Sequence, residues 1–216
     1  SGSKVQMLLA IKGFFRWLTL THRIPSNPAA DVELPRRQHR LPREILSAAE
    51  MEAVLRQPDV RSTLGLRDRT ILELLYSTGI RRAECGGRTV RDLDLERLVL
   101  MVREGKGARD RYVPIGRRAA EWVERYLREA RPMLVRPPDD GHLFLSRLHR
   151  PLSLKRIGSL VHGHIAQAAI GKTGACHLLR HTMATLMLEG GADIRHIQEL
   201  LGHTQLSTTA LYARVS

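Results

Sequence analysis

The chain has 216 residues, 43% of them hydrophobic, which suits one full domain, or one domain with part of another, and excludes a disordered chain. Lys and Arg number 35 against 22 Asp and Glu, and the formal charge of +13 favours a polyanionic partner, most simply nucleic acid. Two cysteines, Cys85 and Cys176, lie far apart and outside any C-x-x-C pattern, so no disulfide framework or structural zinc is expected, and a cytoplasmic compartment is. No apolar run is long enough to span a membrane and no signal peptide is present, so no membrane partner is expected.

Ser1-Gly2-Ser3 reads as an expression scar and is set aside (residues 1–3). Leu8, Ile11, Phe15 and Leu18 follow the helical period and predict a helix over 4–20, with Phe14 and Trp17 adding apolar bulk on its other sides. Such a helix either packs on the domain after it or ends a preceding one. Residues 22–46 hold Pro25, Pro28, Pro35 and Pro42, with Arg36, Arg37, Arg40 and Arg43, and predict a stiff, extended linker. Ser47 and Glu50 form a capping box that opens a helix to about Arg56. A second helix is expected over about 66–77, stopped by Gly79.

The apolar runs 98–102 and 111–115 flank a glycine-rich stretch and predict a β-hairpin. An amphipathic helix is expected over 117–130, with Pro132, Pro137 and Pro138 in the loop after it, then a third short strand over 142–146. Ser153 caps a helix over 154–169, whose His162 and His164 do not face one ligand and read as surface histidines rather than a metal site.

Residues 175–216 carry the densest chemistry. His177 and Arg180 lie three apart and share a helix face. Asp193 and Gly202 bracket a helix over 194–201, His203 comes at once after it, and Tyr212 falls in a last short helical stretch. Arg suits phosphate oxygens, His moves protons near neutral pH, and Tyr is a nucleophile once helped to lose its proton. With no metal-binding motif nearby, the set suggests attack on a phosphodiester.

H-x-x-R-H at 177–181, L-G-H at 201–203 and Tyr212 nine residues later resemble the C-terminal signature of the tyrosine recombinase (phage integrase) family, in its bacterial Xer-like branch. T-G-I-R-R-A-E at 78–84 is similar to the family's first motif, and Gly105-Lys106-Gly107 to its hairpin turn. The resemblance covers about residues 46–216. It implies a mainly α fold with a small antiparallel sheet (α+β), a catalytic domain over 47–216 lacking its C-terminal tail, and residues 4–21 as the last helix of a truncated core-binding domain. It further implies a site-specific recombinase that cuts and rejoins double-stranded DNA through a 3′-phosphotyrosine, without metal, ATP or other cofactor. The catalytic set carried over is Arg81, Lys106, His177, Arg180, His203 and Tyr212, with Glu84 holding Arg81 one turn away. Arg82, Arg109 and Arg111 are expected DNA contacts. One departure stands out. The family has apolar residues after Glu84, where this chain has Cys85-Gly86-Gly87-Arg88, so the helix is expected to end early or to be weakened.

Topoisomerase-like strand relaxation and an inert DNA-binding module are the alternatives. Only four residues follow Tyr212 and most of a core-binding domain is lacking. The chain alone is therefore expected to be monomeric and weakly active, with self-association as a tetramer on DNA left to the full-length protein.

Overall fold

The computed structural model describes residues 2–34, 45–103 and 110–202, in two compact units divided between residues 40 and 41. The first unit is helix α1 (Gly2–Leu20), which begins within the leading tripeptide rather than after it. Its apolar residues recur on all sides, and Met7, Phe14 and Trp17 are more than half exposed. The chain then turns back instead of running extended: His22 takes a left-handed φ of 55°, Asn27 Oδ1 accepts the Ala29 N–H at 2.9 Å, and Lys12 donates to the Ala30 and Val32 carbonyls at 2.8 and 2.7 Å. Proline here initiates turns rather than a rigid rod. The remainder of the proline-rich stretch, 35–44, lies outside the described residues.

The second unit is mostly helical with one three-stranded antiparallel sheet, the expected class. Its packing begins at Ile45 and Leu46, ahead of the expected boundary: Leu46 is fully buried and its N–H donates to Thr182 Oγ1 at 2.9 Å. Helix α2 (Ala48–Leu55) starts at the Ser47–Glu50 capping box as its sequence dictates. Helix α3 (Thr63–Thr78) begins earlier than expected, because Ser62 accepts the Gly65 N–H and supplies the cap. It is buried on almost every side. Ile71, Leu72 and Leu74 are fully enclosed, and Arg69 and Glu73 are buried too, paired at 2.7 Å with Arg69 stacked 4.6 Å over Trp122.

Helix α4 (Arg82–Gly86) comes next, then a single 3₁₀ turn over Val90–Asp92. Strands β1 (Leu93–Asp94), β2 (Val99–Val102) and β3 (Arg111–Pro114) pair in that order, with Leu100 opposite Val113 and Val102 opposite Arg111. Leu100, Val102 and Val113 are buried while Tyr112 faces out, the alternation of a one-sided sheet. The third strand is therefore β1 and not 142–146. That stretch makes only isolated bridges, His142 to Thr89 and Leu145 to Pro151, because Leu143, Phe144 and Leu145 are all buried in succession.

Helix α5 (Arg117–Arg125) runs through a π turn (Tyr126–Ala130) into α6 (Arg131–Leu134). Pro132 thus sits inside the helical run rather than in the loop after it. It stands in the first turn of α6, where no intrahelical N–H is needed. Helices α7 (Leu154–Gln167), α8 (Cys176–Glu189) and α9 (Ile194–Leu201) complete the unit, α7 capped by Ser153 and α9 by Asp193. Among the described residues no helix is long and apolar enough to cross a membrane, and no His, Cys, Asp and Glu cluster could hold a metal.

Candidate active site

Gly79 ends α3 in a left-handed conformation, φ 59°, which a side chain there would strain. The reversal it makes sets Arg81 at the cap of α4. Glu84, in the first turn, reaches back to accept the Arg81 N–H at 2.7 Å and the Arg81 guanidinium at 3.0 Å. Glu84 is buried and also accepts a bidentate fork from Arg111 of β3, 3.0 Å to each oxygen. Burial alone would raise its pKa. The Arg111 hydrogen bonds, the Arg81 N–H and the two guanidinium charges outweigh that and hold Glu84 ionised below the ordinary carboxylate range.

The C-terminus of α9 meets this pair. Gly202 closes the helix with φ 61°, exposing the last carbonyls, which carry the negative end of the helix dipole. Three arginines from three elements take three successive carbonyls: Arg111 bonds Leu200 O at 3.4 Å, Arg180 bonds Leu201 O at 2.7 Å, and Arg81 bonds Gly202 O at 3.2 Å. Arg180 is buried on α8, and its other amine donates to Gly79 O, the carbonyl at the α3 stop. Arg81 and Arg180, 99 positions apart by their numbers, thus converge on one helix end.

His177 lies one turn before Arg180 on α8. Desolvation, followed by repulsion from Arg180, Arg82 and Arg81, pushes it below the usual imidazole value, so it is neutral at physiological pH. His181 is partly buried and lowered by desolvation, then by His177 and Arg180. Arg82 is exposed and faces away from Glu84. It crosses Gly158 and helps line a groove of about 440 Å³ with Lys155, Ser159 and His162 of α7. Lys106, Arg109, His203 and Tyr212 lie outside the described residues.

Two features were not expected. Arg111, expected as a DNA contact, is largely buried and bonded to Glu84 and to the end of α9. The alternation of β3 carries the signal: Val113 and Ile115 point inward, and Arg111 shares their face. The Gly86-Gly87-Arg88 departure is also resolved. Helix α4 does end early, at Gly86, which lies against α7: a Cβ there would come within 2.6 Å of Leu154 Cδ2 and 3.3 Å of Ile157 Cδ1. Arg88 is buried, but it donates to the Glu84 and Met101 carbonyls at 2.8 Å each and lies 3.7 Å from Asp92. A cavity of about 940 Å³ opens there, lined by Arg88, Arg103, Arg131, Asp92 and Asp139, and includes neither Arg81 nor Arg180.

Comparison with known proteins gives a consistent result. The profile of the Phage integrase family matches residues 44–216. The chain is 49% identical over 215 residues to "Tyrosine recombinase XerC 2" of Ralstonia nicotianae, covering 100% of this chain and 62% of that protein. Among solved structures it resembles the XerA recombinase (29% identity, TM-score 0.70, 98% of this chain and 70% of that one). It also resembles the XerH site-specific recombinase bound to a palindromic difH substrate in a post-cleavage complex (25% identity, TM-score 0.69, 82% of this chain and 50% of that one). The chain thus spans less than two thirds of the length of its XerC 2 relative.

Proposed function

This chain belongs to the phage integrase family, and on that premise we propose that its protein is a site-specific recombinase that cuts and rejoins duplex DNA through a covalent 3′-phosphotyrosine. Tyr212 Oη attacks the scissile phosphorus and a P–O bond forms as the bond to the 5′ oxygen breaks. His177 takes the phenolic proton, and Lys106 gives one to the leaving 5′ oxygen. Arg81 and Arg180 bind the non-bridging oxygens and offset the charge that grows in the transition state, with His203 as a further donor. Resealing runs the same steps backwards with a new 5′-hydroxyl, so the reaction consumes no nucleotide and needs no metal.

The observation that carries this reading is the convergence of Arg81 and Arg180 on the adjacent carbonyls of Gly202 and Leu201, with His203 next in the chain. The neutral state of His177 supports its role as base. Exposed Arg82 of α4 and Lys155 of α7 line one groove and supply phosphate-seeking charge there. The recombinase relatives favour strand exchange over relaxation alone. In the full-length protein, residues 4–21 end a DNA-clamping domain, the stretch from 22 to 44 links it to the catalytic domain, and a tetramer assembles on DNA in the bacterial cytoplasm.

A nicked suicide duplex carrying a site recovered from DNA bound by the full-length protein tests the proposal. The wild type should accumulate a covalent protein–DNA adduct, in EDTA as well as without it, and Tyr212→Phe should form none. Equal adduct from both proteins, or cleavage that stops on metal removal, overturns it.

A further inference from the structure

We infer that Arg111 is a positioning residue of the active site: it occupies Glu84 so that the Arg81 guanidinium stays turned toward the α9 terminus and the reacting phosphate. The inference rests on the function proposed above. Glu84 is a buried acid between two guanidiniums. Arg111 meets it with both amines, 3.0 Å to each oxygen, while Arg81 offers Glu84 only one amine, Nη1, besides its backbone N–H. The other amine of Arg81, Nη2, is thereby aimed at Gly202 O.

Arginine and carboxylate pair best as two parallel forks, in which both nitrogens of one edge are used. Without Arg111, Glu84 keeps one cationic partner among these residues, and its most favourable geometry becomes a fork with Arg81. That fork draws Nη2 away from the α9 terminus. Arg111 prevents this by holding the place.

A second observation fixes Arg111 from the other side. A Cβ built on Gly202 would lie 3.0 Å from Arg111 Cζ and 3.1 Å from its Nε and Nη1. The guanidinium therefore lies flat against the residue that closes α9, and its Nε donates to Leu200 O. It ties β3 to α4 and to the end of α9. In sequence, Lys106 precedes this arginine by five residues and His203 comes directly after Gly202. The described residues next to both catalytic positions, Arg111 and Gly202, thus meet at one guanidinium.

The test is single-turnover adduct formation on the suicide duplex, set beside equilibrium binding of the same duplex over a range of salt, with thermal melts to confirm folding. Arg111→Met should slow adduct formation by about 10- to 100-fold, as for a misplaced catalytic group. Its affinity and salt dependence should match the wild type. Arg111→Lys, a point donor without a fork, should remain slow. Adding Glu84→Gln to Arg111→Met removes the acid that captures Arg81, so the double variant should be no slower than Arg111→Met alone. If Arg111→Met does not fold, Arg111→Gln, which keeps a donor toward Glu84, carries the same comparison.

A wild-type rate for the substituted proteins sinks the inference. So does a loss of affinity with the salt slope reduced by about one, the mark of a phosphate contact, and so does a double variant whose losses simply add. Absence of adduct from the wild type would instead overturn the functional reading, and the inference with it.

Discussion

Arg88 shows how a side chain that violates a sequence pattern becomes part of the fold. It stands where apolar packing was expected, but its amines satisfy two carbonyls and sit against Asp92. Burial would raise the Asp92 pKa. The Thr89 N–H and hydroxyl, Arg88 and Arg103 outweigh that and keep it ionised. Arg88→Met should therefore destabilise by about 2–3 kcal/mol in chemical denaturation, through unsatisfied carbonyls and a weakened partner for Asp92; an unchanged midpoint would contradict this. The sequence revealed the cost of burying an arginine here but not its partners, since the Met101 carbonyl lies 13 positions away. The same limit applies to Arg81 and Glu84: their pairing was legible from spacing, whereas Arg111 as the second partner was not, because it depends on strand register.

The histidines give a pH dependence of definite sign. His177 and His181 both titrate below their ordinary value of 6.5 in the folded state. The unfolded chain then binds more protons than the folded one just below that pH, so stability present above it is lost as the pH falls through the folded values. Glu84 and Asp92, with lowered carboxylate pKa values, extend the loss in the same direction at lower pH. The melting temperature should fall steadily on acidification below about pH 7, and His181→Gln should flatten the upper part of that fall. A melting temperature that rises on acidification would contradict the account.

At the scale of elements, helix starts and stops were the most legible features. The Ser47 box, the Gly79 and Gly202 stops and the Ser153 and Asp193 caps all arise from local chemistry. What was lost depended on packing. Strand β1 is two residues long and has no periodicity to read, and 142–146 looks like a strand because its three central residues, Leu143, Phe144 and Leu145, are all buried. The π turn that carries the α5 helix past Pro132 has no sequence signature beyond the proline itself. Gly79 joins both levels, since its left-handed φ ends α3 and a Cβ there would lie 2.0 Å from Met183 Cε and 3.0 Å from Leu201 Cδ2. Gly79→Ala should cost about 2–4 kcal/mol, part backbone strain and part overpacking of α8 and α9 against the α3 end. It should also slow catalysis, because Gly79 O is a partner of Arg180. Stability equal to the wild type would show that this junction is looser than described.

For the whole molecule, charge and motif order were legible from composition and spacing, and the convergence of distant segments was not. A charge of +13 says only that a polyanion is favoured. The fold brings the ends of α3 and α9 and the first turns of α8 to the start of α4, where the arginines can act together. Binding to duplex DNA should weaken at least about tenfold between roughly 50 and 200 mM salt, as phosphate contacts release counterions; salt-independent binding would place the cations elsewhere. The most direct test is to identify the linkage in the covalent adduct itself, by digesting the trapped complex and sequencing the nucleotide-bearing peptide by mass spectrometry. The account requires Tyr212 joined to a 3′-phosphate, with a free 5′-hydroxyl on the released strand. A different residue, or a 5′-phosphate linkage, would contradict it.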